Sequence, residues 1–91
     1  MNSKIVRNNT VYTKTLLEKF EFDSMSSEYL INSTIDDWLH STEKGMWCKE
    51  HSIQPEIYAQ PDYLHAVQRV GIFGYMTDKD STIFYLKWKS R

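Results

Sequence analysis

From Val70 to Lys89 the chain reads VGIFGYM, then TDKDST, then IFYLKWK. Two runs of β-branched and aromatic residues flank a short charged segment, a pattern that predicts strand, turn, strand. In the second run Phe84, Leu86 and Trp88 alternate with Ile83, Tyr85, Lys87 and Lys89, so a pleated strand would send the large apolar set to one side. In the first run Val70, Ile72 and Met76 share a side, with Gly74 as the gap in the row, and Arg69, Gly71, Phe73 and Tyr75 lie opposite. If the two apolar rows join, the reverse face collects Arg69, Phe73, Tyr75, Tyr85, Lys87 and Lys89. The connection Thr77–Ser81 contains no glycine, which predicts a four- or five-residue loop built on a type I turn.

Upstream, Ile31, Ile35, Trp38 and Leu39 recur at spacings of three and four, with Asn32, Ser33, Asp36 and His40 away from the stripe. This predicts an amphipathic helix over roughly Ser26 to Ser41, with Asp23 or Ser24 as N-cap and Lys44-Gly45 as its end. Asn8-Asn9 separates two β-rich flanks, which fits either a small hairpin or an open lead-in. Thr10 to Thr15 reads as strand, whereas Leu16, Leu17 and Phe20 also suit a helical turn; a strand through about Phe20 is expected. Met46 to Ile53 is expected as a third strand, and Gln54 to Asp62, which holds Pro55 and Pro61, as a loop. Asp62 either caps a short helix through Tyr63, Leu64 and Val67 or precedes an early start of the next strand. The expected fold is a single α+β domain over residues 1–91: one helix on an antiparallel sheet of about four strands, in the order β-α-β-β-β. Its uncovered sheet face would hold the ring and cation set, joined by Tyr12 and Lys14.

Ninety-one residues with one cysteine leave no internal disulfide to support a small core, so self-association as a homodimer is one expected form of support. The 41% hydrophobic and 25% charged composition excludes a disordered or fibrous chain. No apolar run is long enough to span a membrane and MNSKIVRNN has no apolar signal segment, so a cytoplasmic setting is expected. The net charge of −1 is unevenly placed. Residues 1–19 carry four bases against Glu18, residues 20–62 carry nine acids against Lys44 and Lys49, and residues 63–91 carry five bases against Asp78 and Asp80. A molecule with a basic and an acidic side can orient a charged partner without high net charge.

Catalytic and metal chemistry finds no frame. Cys48 and His51 would point to opposite faces of a strand, and with His65 and Glu50 they lack the second half of a zinc signature. Asp78, Asp80 and Thr82 lack the glycine and the glutamate of a calcium loop. Asp36 and Asp37 diverge by about 100° on a helix and do not share a site. Three glycines, none in a phosphate-cradling pattern, exclude a nucleotide loop. No cofactor is expected.

Exposed rings interleaved with cations suit either a protein interface or single-stranded RNA, where rings stack on bases and cations follow phosphates. Arg69–Met76 resembles the aromatic central strand of RNA-recognition motifs but departs from it in glycine placement and in the number of helices, so no residue role carries over. In size and in its ending, GYMTDKDSTIFYLKW, the chain resembles the small accessory proteins of tailed bacteriophages. That resemblance implies a non-enzymatic binder that blocks a host protein, toxin or defence complex. The expected contact residues are Tyr12, Lys14, Arg69, Phe73, Tyr75, Tyr85, Lys87 and Lys89, with a host protein or protein-RNA complex as partner and RNA itself as the alternative.

Overall fold

A computed structural model describes residues 4–89, with Lys89 described for its backbone alone. It is an α+β fold. The strands β1 (Lys4–Arg7), β2 (Thr10–Asp23), β3 (Ile53–Asp62) and β4 (Val67–Met76) form one antiparallel sheet in the order β1-β2-β4-β3. The helices α1 (Glu28–Ser41), α2 (Glu43–His51) and α3 (Asp78–Phe84) follow the order β-β-α-α-β-β-α, and Tyr85–Lys89 continues α3 as a π-helical turn. Three helices therefore replace the single one expected, and the β-α-β-β-β order does not hold.

Each local choice has a cause. Asn8 and Asn9 both have positive φ, 50° and 64°, which closes a two-residue hairpin whose backbone twist matches its strands. β2 is longer than expected because it carries a bulge. Leu16 pairs with Phe73 and Glu18 with Ile72, so Leu17 is the extra residue and is buried. The bulge reverses the facing of alternate residues: Tyr12, Lys14 and Leu16 share one face, and beyond it Lys19 and Glu21 take over. That reversal is why this stretch reads as half strand, half helix.

α1 begins at Ser27, whose Oγ accepts from the Leu30 N–H at 3.1 Å, while Asp23 accepts from Met25 N–H and shapes the preceding turn. It ends at Thr42, not at Gly45. The Thr42 hydroxyl donates to the Trp38 carbonyl at 2.7 Å and accepts from the Gly45 N–H at 2.9 Å, closing one helix and capping the next. The expected strand over 46–53 is thus helical as far as His51, with Ile53 already opening β3, Cys48 pointing into the core and the Trp47 ring stacked on His51 at a centroid distance of 4.0 Å. The expected loop over 54–62 is β3. It is an edge strand, where proline's missing N–H does not break a ladder. Residues 63–66 form a turn, tied by the Asp62 carboxylate accepting from His65 N–H, with Ala66 at a φ of 55°; β4 begins early, at Val67.

The largest departure is the last element. TDKDST is a helix start: Thr77 accepts from the Asp80 N–H at 3.2 Å, and Asp78 and Asp80 place negative charge in the first turn. Phe84 and Trp88, four residues apart, then fall on one helical face and pack on Trp47 at centroid distances of 6.2 and 5.3 Å. Leu86, expected inside with them, is 63% exposed.

Leu17, Val70, Ile72 and Met76 from one sheet face join Ile31, Ile35 and Trp38 of α1, Cys48 of α2 and Phe84 of α3 in a single core. The stripe read on α1 is the one buried there, with Leu39 at its margin. Burial of this core supplies the main stabilisation, at roughly 25 cal/mol per Å² of apolar surface. Desolvation pushes the fully buried Cys48 thiol up to about 12. The folded protein is therefore expected to resist iodoacetamide near pH 8, since the thiolate is the reactive form. Mass spectrometry should show labelling only at the rate at which the domain opens; prompt labelling would place Cys48 at the surface.

Candidate binding face

Strand pairing places side chains on the sheet face away from the helices. Residues directly opposite share a face, so Lys14 joins Tyr75, Leu16 joins Phe73, Lys19 joins Gly71 and Tyr58, and Glu21 joins Arg69 and Gln60. Tyr12, opposite Ile5, continues the row. Five of the eight expected contact residues, Tyr12, Lys14, Arg69, Phe73 and Tyr75, are therefore brought onto one face. Two of the remaining three are not. Tyr85 and Lys87 are exposed on the π-helical turn, where the Lys87 ammonium lies 5.2 Å from the centre of the Trp88 ring. The Lys89 side chain lies outside the described residues.

The centre of the face is a closed polar network. The Glu56 carboxylate accepts from Lys14 Nζ at 3.1 Å, from Tyr75 Oη at 2.9 Å and from Tyr58 Oη at 3.2 Å. Lys14 Nζ also donates to Tyr58 Oη at 3.0 Å and lies 4.3 Å from the Tyr58 ring centre and 4.9 Å from that of Phe73. The two rings meet edge to face at 5.4 Å. Lys14 is thus held between two π faces and a carboxylate, and Tyr75 beneath it is only 5% exposed.

Hydrogen bonds from Lys14, then Tyr75, hold Glu56 below the usual carboxylate range. Lys14 is raised by its bond to Tyr58 and then by Glu56, and Tyr75 is raised chiefly by Glu56. A carboxylate with a lowered folded-state value stabilises the fold above its ordinary value, and that contribution disappears as pH falls through the lowered one. Glu56→Gln is accordingly expected to melt below wild type at neutral pH, and the two melting curves should converge in acid below the lowered Glu56 value. A constant gap across that range would place the carboxylate outside the network.

At one end of the face Arg69 Nη1 bonds the Asp62 carboxylate, its Nε stands 3.6 Å from Glu21, and His65 Nδ1 lies 2.8 Å from Asp62. Arg69 and then His65 hold Asp62 below its usual range. Across the middle runs a trough of about 570 Å³ floored by Gly71 and walled by Leu16, Tyr58 and Phe73.

No group of three His, Cys, Asp or Glu converges on a metal position among the described residues. The face offers rings, directed hydrogen bonds and paired charges.

Glu56, Tyr58 and Gln60 were missed because the two prolines make their segment look like a loop. The signal was present: Glu56, Tyr58, Gln60 and Asp62 alternate with Ile57, Ala59 and Pro61, the period of a strand. No protein-family model matches the chain, and no curated protein or solved structure does either.

Proposed function

We propose that this chain is a non-enzymatic binding module that covers part of a protein partner with its open sheet face. The supporting observation is charge balance. Lys14, Lys19 and Arg69 share the face with Glu21, Glu56 and Asp62, and two of the three cations are already neutralised by those carboxylates. A phosphate backbone needs unpaired cations and would be repelled by three acids. A protein surface is matched by rings and local ion pairs held in advance, which lowers the ordering cost of association.

RNA bound through exposed rings is the reading this face supports less well. Under the phage-accessory resemblance the partner is a host enzyme, toxin or defence complex whose working surface is blocked, as an inhibitor acts. Tyr58, Lys14 and Phe73 are the anchors.

The test is affinity capture from host lysate with nuclease present, comparing wild type with Tyr58→Ala and Lys14→Ala, alongside titration of labelled oligouridylate at two salt concentrations. A protein retained by wild type and lost from both variants, at a cost of about 2 kcal/mol each, supports the proposal. Retention by both variants would remove the site from this face. Oligouridylate binding that weakens steeply with salt and disappears in the variants would make the protein an RNA binder instead.

A further inference from the structure

β2 ends at Asp23 and β3 at Asp62, and both residues pair with Val67 at the start of β4, so the three strands finish side by side at one end of the sheet. Two turns leave from there, 24–27 into α1 and 63–66 between β3 and β4. Among the described residues the most exposed large apolar side chains are Leu64 (89%), Met25 (88%), Tyr63 (83%) and Tyr29 (82%). The first three belong to these turns, and Tyr29 follows in the first turn of α1.

Hydrogen bonds join the two turns into one body. The Ser24 N–H donates to the Ala66 carbonyl at 3.0 Å, and the Gln68 side-chain amide donates to the carbonyls of Ser24 and Ser26 at 3.0 and 3.4 Å. Asp23 accepts from the Met25 N–H at 2.8 Å and Asp62 from the His65 N–H at 3.3 Å. The tip is held in one arrangement before any partner arrives, which lowers the ordering cost of association. Neither packing nor turn chemistry accounts for what it displays. At this exposure Leu64 and Met25 add little to the core. Turns favour Gly, Asn, Asp and Ser, whereas Tyr-Leu-His-Ala fills 63–66, with Ala66 at a φ of 55°. Apolar side chains gathered at the surface inside a polar rim mark an interaction site.

The rim indicates what docks. Glu21, Asp23, Glu28 and Asp62 stand at this end against Arg69, a balance of −3 with His65 neutral. Arg69 engages Glu21 and Asp62, whereas Asp23 and Glu28 have no cationic group within 4.0 Å among the described residues. Such a rim repels an anionic bilayer and nucleic acid alike. We propose that the tip docks on a segment of a protein partner that is both cationic and apolar. Met25, Tyr63 and Leu64 enter its apolar side chains, and its lysine or arginine groups meet Asp23 and Glu28. This surface uses none of Lys14, Tyr58 and Phe73 and is independent of the open sheet face.

The experiment is a titration of the whole chain, carrying ¹³C at its methionine methyl groups, with the peptide acetyl-Leu-Lys-Lys-Leu-Leu-Lys-amide. Parallel arms use the same peptide with glutamate for lysine, the same with serine for leucine, and phosphatidylcholine vesicles with and without phosphatidylserine. The Met25 signal is identified among the four methionines by its loss in Met25→Leu. A saturable Met25 shift with the lysine-leucine peptide is expected. Affinity should fall about tenfold in Leu64→Ser, the scale of withdrawing one leucine from an apolar contact, and about threefold in Glu28→Gln, the scale of one exposed ion pair. Unmoved Met46 and Met76 signals show that each variant is folded, and Lys14→Ala should bind as wild type does.

No saturable Met25 shift, equal binding of the glutamate or the serine peptide, or wild-type affinity in both Leu64→Ser and Glu28→Gln overturns the inference. So does loss of binding in Lys14→Ala, which moves the contact to the open face, and so does a Met25 shift on vesicles alone, which makes the tip a membrane contact. The open-face reading is decided separately, by capture with Tyr58→Ala and Lys14→Ala.

Discussion

Gly45→Ala is expected to lower stability by about 3 kcal/mol or more, against the ordinary gain of roughly 1 kcal/mol when alanine replaces glycine inside a helix. α1 and α2 meet at Thr42, and the first turn of α2 lies directly on the end of α1. A Cβ at position 45 would stand 1.9 Å from the Trp38 carbonyl oxygen, 2.7 Å from its carbon and 2.8 Å from the Thr42 hydroxyl. Two of those three atoms are backbone and cannot rotate away. The third is the hydroxyl that bonds both Trp38 and Gly45. Relief therefore requires the helices to separate, which would also withdraw Trp38 and Cys48 from the core they share. For a domain of this size each kcal/mol shifts the melting temperature by roughly 4–8 °C, so the loss should exceed about 12 °C. A Gly45→Ala protein as stable as wild type by urea titration would mean that the two helices do not approach in this way.

Phe84→Ala should remove about 3–5 kcal/mol, a large share of the roughly 5–15 kcal/mol available to a small domain. Phe84 is 1% exposed and joins the core. Its ring also packs on Trp47 and Trp88 and lies 5.6 Å below the Lys44 ammonium. Truncation leaves a cavity that three separate elements border, so collapse of one cannot fill it. Leu86→Lys is the companion measurement. In the helical arrangement its side chain is mostly in solvent and the change should stay within about 0.5 kcal/mol, whereas in a strand Leu86 would turn inward beside Phe84 and lysine would be as damaging as the alanine. Guanidinium titration followed by tryptophan fluorescence gives both values, and comparable losses at the two positions would contradict the helix.

The same residues show how far pattern reading reaches. Alternation placed Val70, Ile72 and Met76 inside and Arg69, Phe73 and Tyr75 outside, because β4 is regular and lies between two other strands. The α1 stripe was legible for a similar reason: it is long, periodic and faces one surface. For Ile83–Lys89 alternation and helical spacing describe the same letters, since Phe84 and Trp88 fall together under either period. The cap at Thr77 and the contact with Trp47 decide between them. β3 was hidden because proline argues against a strand unless the strand is at an edge, and edge position is a fact about neighbours.

The sequence alone was enough for the α+β class, the roof helix and the two-sided character of β4, since each follows from local spacing and local backbone preference, whereas Asn8-Asn9 left hairpin and open lead-in undecided until β1 paired with β2. Assembly of the chain was needed to settle the charge on the open face. Glu56 and Asp62 reach Lys14 and Arg69 only when β3 docks on β4, and the bulge at Leu17 turns Lys19 toward Gly71 instead of toward the helices. Spacing along a chain is set by covalent geometry, but neutralisation of one charge by another depends on distance across the sheet. That distance exists only after the strands have paired.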